Sequence, residues 1–151
     1  MRCVGICVRL PRRGRPTAEA VVLDGCWEAP TPHAQFELTS AKDDLPTLLH
    51  DLAAGLVSQL AGLNVDRVAI RRADQPARAS NREGPRIRLL AEGALASAAR
   101  SKVRDVLLRS GRDLAARSPA GTKAQLDAYA TRSAPGTPTE AAAAALSGLV
   151  P

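Results

Sequence analysis

Few side chains in this sequence are of types that do chemistry, and they are scattered. Four acids stand where predicted elements begin, end or expose a face: Asp24 closing a strand, Asp74 just past another, Glu92 on a helix and Glu140 at a helix start. Carboxylates of this kind can clamp one or two Mg2+ ions, which activate a water and stabilise a leaving oxygen, provided the acids converge on one pocket. The three cysteines, Cys3, Cys7 and Cys26, are an odd number with no His cluster beside them, so they read as reduced thiols and not as a disulfide framework or a metal site. His33 falls in a loop and His50 on a helix, with no Asp placed to orient either one, so no nucleophile and base are paired. Trp27, between Cys26 and Pro30, reads as a loop anchor.

The commonest functional group is the guanidinium. Of 21 basic residues only Lys42, Lys102 and Lys123 are lysines, and the formal charge of the 151-residue chain is +6. The charge is uneven: residues 1–15 hold five arginines and no acid, 67–132 hold 15 basic residues against six acids, and 19–66 is acidic. An uneven basic surface favours a polyanionic partner, because phosphate contacts release counterions. Phe36, Trp27 and Tyr129 are the only aromatics apart from the histidines, too few for a single-strand stacking platform, so duplex or branched forms fit better.

These groups must be positioned by a single α/β domain spanning 1–151. Residues 2–10 and 19–24 read as strands joined by a Pro- and Arg-rich turn, and 34–40 as a third, giving an antiparallel meander. Leucines at 45, 48, 49, 52, 56, 60 and 63 then follow the three- and four-residue steps of an amphipathic helix, with Asp44 as its cap. A strand over 65–71 follows, which makes the next pairing parallel. A helix over 85–101 is expected to bury Ile87, Leu90, Ala91, Ala94, Leu95 and Ala98 and to pack closely through its small residues, Gly93 among them. A strand over 103–108 precedes two helices, begun by the capping boxes Thr122…Gln125 and Thr137…Glu140. The order is β-β-β-α-β-α-β-α-α. No signal peptide or bilayer-length apolar run is present, so a cytoplasmic protein with no membrane role is expected.

Five stretches, in order and in register, resemble RuvC-type Holliday junction resolvases, a family with the ribonuclease-H-like fold. Val4-Gly5-Ile6-Cys7 is similar to that family's opening strand, whose Gly-Ile precedes an Asp, and Val68-Ala69-Ile70-Arg71 to its fourth strand, whose Ala-Ile precedes a Glu. Ala91-Glu92-Gly93-Ala94 stands where the family has Ala-Arg-Gly-Ala, and Thr122-Lys123-Ala124-Gln125-Leu126 where it has Lys-x-Gln-Val. The closing Ala144-Ala145-Leu146 matches an Asp-Ala-Leu, with a further family Asp at Ala141. The resemblance implies a five-stranded mixed sheet, three antiparallel strands then two parallel, flanked by helices. It also implies that every metal-binding acid is replaced, by Cys7, Arg71, Ala141 and Ala144.

Three functions follow as expectations. A pseudo-nuclease would keep no metal and no other cofactor, and would grip nucleic acid, DNA before RNA, through Arg71, Arg72, Arg78, Arg82, Arg112, Arg117 and Lys123. It would act as a homodimer, or as a heterodimer with a related subunit. A scaffold subunit would instead pair with another protein through its sheet edge or the helix over 45–63, without nucleic acid. A divergent endonuclease would recruit Mg2+ to displaced acids at Asp74, Glu92 and Glu140.

Overall fold

The computed structural model describes residues 1–10, 15–74 and 83–151. Five strands form one sheet: β1 (Arg2–Arg9), β2 (Thr17–Cys26), β3 (Ala29–Leu38), β4 (Arg67–Arg72) and β5 (Asp105–Ser110), in the spatial order β3-β2-β1-β4-β5. β1 pairs antiparallel with β2, and β2 with β3, while β4 runs parallel to β1 and β5 parallel to β4. This is the mixed sheet that the element order predicts.

Each face of the sheet is covered by helices. α1 (Leu45–Ala61) and α2 (Glu83–Arg100) bury Leu48, Leu52, Leu56, Leu60, Ala91 and Leu95 against Val4, Ile6, Val8, Val68 and Ile70. α3 (Gly111–Ala116), α4 (Lys123–Ser133) and α5 (Thr139–Gly148) cover the other side, against Cys3, Cys7, Val21, Leu23 and Ala69. Strand alternation thus divides β1 into two cores, odd residues under α5 and even residues under the α1–α2 layer.

Several local expectations are corrected. The third strand begins at Ala29, before Pro30 and Pro32, because it is an edge strand where a missing N–H costs no ladder bond. It therefore contains His33, whose Nδ1 lies 3.2 Å from both Arg2 Nη2 and Asp24 Oδ2, instead of lying in a loop. A short helix, α3, was not expected from its six residues; Ser110 caps it by accepting from the Asp113 N–H. The Thr122 cap forms as expected, but the Thr137…Glu140 box does not. The Thr137 hydroxyl donates to the Ala134 carbonyl, which leaves Glu140 available for the site described below. On α2 the buried positions are Ala91, Glu92, Leu95, Ala98 and Ala99, whereas Leu90 is exposed.

The closest approach of helix to sheet is made by α5, not α2. Ala141 to Leu146 are all fully buried, and the helix backbone lies directly on β1 at Gly5. A Cβ on Gly5 would stand 2.0 Å from the Ala141 carbonyl oxygen and 2.2 Å from the Ala145 nitrogen. Gly93, by contrast, has open space around it.

Gly5→Ala should therefore destabilise the fold by about 3 kcal/mol, the upper range for forcing atoms into a filled core. Gly93→Ala, an exposed helix-interior glycine, should stabilise it by about 1 kcal/mol. Urea denaturation of the two variants reads both signs; equal effects would mean that α5 is not clamped on β1.

Candidate functional site

The parallel pairing of β1 with β4 sets Cys7 opposite Arg71. Their neighbours Ile6 and Ile70 bury under α1 and α2, so Cys7 and Arg71 turn to the α5 side. There, at the ends where β1 and β4 leave the sheet, the first turn of α5 brings in Glu140 and α4 brings in Asp127.

Arg71 is the centre of this cluster, with 3% of its side chain exposed. Its Nη1 donates to Asp127 Oδ1 at 2.8 Å, and its Nη2 lies 3.4 Å from Glu140 Oε1, an ion pair without a formed hydrogen bond. The guanidinium lies against Gly111, where a Cβ would come within 2.8–3.0 Å of Nη2, Nε and Cζ. Asp127 also accepts from Lys123 Nζ at 2.9 Å. Burial works against the Asp127 charge, but the hydrogen bonds from Arg71 and Lys123 outweigh it and hold the carboxyl below its ordinary range. Glu140 is likewise lowered on balance, burial being opposed by the Cys7 hydrogen bond and by the charges of Arg71, Arg88 and Lys123.

Cys7 completes the ring by donating from Sγ to Glu140 Oε2 at 3.0 Å. Burial first, and the Glu140 carboxylate second, push its thiol up to about 12. It is a protonated donor at neutral pH, and a thiol in that state is a poor nucleophile and a poor metal ligand. Beside it, Glu92 is wholly buried on α2: Oε1 accepts from Arg88 Nε at 2.8 Å and from the Ala73 N–H at 2.9 Å, while Oε2 has no partner. Arg88 Nη2 in turn reaches Cys7 Sγ at 3.8 Å.

The cluster thus sets three cations, Arg71, Arg88 and Lys123, against three carboxylates, Asp127, Glu140 and Glu92. A divalent cation does not fit this arrangement. Arg71 already fills the space between Asp127 and Glu140, and Ala141 and Ala144 offer no donor atom. Among the described residues no group of three or more His, Cys, Asp or Glu side chains could hold a metal ion.

The remaining expected residues scatter around this centre. Asp74 is exposed beyond β4, and Asp24 sits at the opposite end of the sheet with Arg2. Arg72 is half-buried with an unpartnered Nε, Arg112 and Arg117 are exposed, and Lys123 is held by Asp127. Arg78 and Arg82 lie outside the described residues. Arg71 is a correction: it was expected on a binding face, yet its guanidinium is enclosed by its own carboxylates. Asp127 was missed. The Lys123–Asp127 spacing of four residues on α4 was visible, but only the tertiary fold carries that pair to the end of β4.

Among solved structures, the chain is similar to Thermus thermophilus RuvC, with a TM-score of 0.70 at 16% identity over 97% of this chain and 92% of that one. It is similar also to T. thermophilus RuvC in complex with a Holliday junction substrate, with a TM-score of 0.69 at 16% identity over 97% and 91% of the two chains. No family model and no curated protein matches. The likeness shows a RuvC-like, ribonuclease-H-like fold.

Removing Arg71 should be costly even though the residue does no packing of its own core. Arg71→Met would leave Glu140 with its Cys7 hydrogen bond and Asp127 with Lys123 alone, and should destabilise by about 2 kcal/mol, below the range for a fully buried pair because Glu140 is half exposed. Both acids are lowered in the folded state, so their stabilisation is complete above the ordinary values of 3.8 and 4.5 and is lost as pH falls through the folded values. Urea titrations on the acid side should therefore fall less steeply for Arg71→Met than for wild type. Parallel acid limbs would show that the ion pairs contribute nothing.

Proposed function

We propose that this chain is a catalytically inactive RuvC-like domain that binds nucleic acid, branched or duplex DNA, and works as a dimer. The observation that carries the reading is Arg71. A guanidinium pinned by Asp127 and Glu140 stands where the family resemblance calls for a metal-binding Glu, beside a protonated Cys7 and the methyl groups of Ala141 and Ala144. Hydrolysis by two-metal chemistry needs carboxylates that converge on the ions, and here the converging carboxylates are already spent on arginine and lysine.

Binding falls to the basic groups around that neutralised centre. Arg72 ends β4, while Arg112 stands on α3 and Arg117 at its close. Arg9, exposed at the end of β1, and Arg15, just before β2, extend the same rim, each tethered to one acid. Contacts of this type go to phosphate and carry little sequence information, which suits a ligand recognised by shape. A junction-bound structure of the similar T. thermophilus RuvC supports this ligand class. Arg71 lies beneath the rim as its support. The dimer is favoured by exposed Leu89, Leu90 and Leu108, large apolar side chains that a partner would cover.

The test is a labelled four-way junction and a matched linear duplex, each incubated in Mg2+ and in Mn2+ and run on native and denaturing gels. A shift that prefers the junction, with no cut product, is the expected result. Arg72→Ala, Arg112→Ala and Arg117→Ala should each weaken binding and flatten the dependence of log K on log salt by about 0.9 per lost phosphate contact. Cleavage abolished by Asp74→Ala or Glu140→Ala would overturn the inactive reading, and no shift at low salt would overturn the nucleic-acid reading.

A further inference from the structure

The sheet has two edges, and they are built differently. β3 carries the devices that keep an edge from pairing: Pro30 and Pro32 without N–H groups, a register shift opposite Val22 and Leu23, and an exposed Glu37. β5 has no proline, and its centre is Val106-Leu107-Leu108. It hydrogen-bonds β4 on one side only, and among the described residues no strand pairs with its other side. Leu108 is 41% exposed.

We propose that β5 is the dimer interface, pairing antiparallel with β5 of a second copy about a two-fold axis at Leu107. The inference rests on the dimer part of the function proposed above and adds the surface and the register. A strand meeting its own copy in this way places each residue opposite a fixed partner, and the β5 sequence is self-complementary in that register. Asp105 faces Arg109 of the second copy, Val106 faces Leu108 of the second copy, and Leu107 faces itself. Opposite charges and apolar pairs directly across two antiparallel strands are the stabilising combinations.

The faces agree as well. Leu107 packs with the α3–α5 core and Val106 with the α1–α2 core, so alternation puts Asp105, Leu107 and Arg109 on one face and Val106 and Leu108 on the other. A two-fold axis normal to the sheet keeps each set on its own side.

The charges are also available. Arg109 is set opposite Arg71, a like charge, and no ion pair of its own is formed among the described residues. Asp105 binds Arg67 through Oδ2 at 2.5 Å on its inner side and is 44% exposed. A second copy would supply an anion to Arg109 and a further cation to Asp105, twice over.

Sedimentation velocity over a concentration series tests this. Wild type should dimerise. Leu108→Lys, Arg109→Glu and Asp105→Lys should each raise the dimer dissociation constant by about tenfold or more, a loss of 1.4 kcal/mol, while circular dichroism confirms that each remains folded. If Asp105→Lys fails to fold beside Arg67, Asp105→Asn replaces it as a weakening variant, and Arg109→Glu and Leu108→Lys still decide. The decisive sample is an equimolar mixture of Arg109→Glu with Asp105→Lys, in which both cross-strand pairs become attractive again: a heterodimer should form where neither variant dimerises alone. A wild type that stays monomeric would overturn both this interface and the dimer part of the proposed function, leaving nucleic-acid binding to its own test. A dimer that ignores the β5 changes but dissociates on Leu89→Glu or Leu90→Glu would overturn the β5 interface alone.

Discussion

A guanidinium at the end of a buried strand has to be compensated, and much of this molecule's second face is arranged around that need. Leaving one charge unpaired in the interior costs several kcal/mol, so the partners of Arg71 are as constrained as the residue itself. Asp127 ties α4 to β4, and Glu140 ties the first turn of α5 to both β4 and β1. Gly111 keeps the start of α3 free of a Cβ that would press on the guanidinium. Cys7 donates to the second oxygen of Glu140, and burial first, then that carboxylate, hold its thiol protonated. Three helices and two strands thus meet at one charge.

The second constraint is steric, and it explains why no acid stands on the inner face of α5. That helix lies on β1 at van der Waals limits, with Gly5 beneath Ala141 and Ala145, and Gly148 against Cys3 Sγ. Ala141 to Ala145 are all fully buried. A carboxylate at Ala141 or Ala144 would add a charge to ground where the cations already answer to Asp127, Glu140 and Glu92. The alanine run and the Arg71 cluster are therefore two halves of one arrangement: close packing where side chains are short, and balanced charge where they are long.

Much of this was legible in sequence. The element order and the Asp44 and Thr122 caps follow from period and turn chemistry, and the placing of Cys7 and Arg71 at one site follows from the resemblance at 4–7 and 68–71. The pairing of the site was not legible. Asp127 is 56 residues from Arg71, and nothing local marks it as that arginine's partner. Glu140 looked like half of a capping box, and only the geometry of α5 shows that its side chain leaves the helix for β1. The burial of Glu92 was equally hidden, because a helical acid reads as solvated unless its neighbours Arg88 and Ala73 are known to close over it.

The balance of charge at the centre also decides where the net +6 of the chain can act. Three cations and three carboxylates cancel among Arg71, Arg88, Lys123, Asp127, Glu140 and Glu92, so the cluster itself offers little attraction to an ion of either sign. A divalent cation would have to displace a guanidinium already bonded to its ligands. Excess positive charge lies outside the cluster, on residues such as exposed Arg112 and Arg117. The centre is compensated because its charges are cut off from water, while exposed Arg112 and Arg117 need no partner because water solvates them.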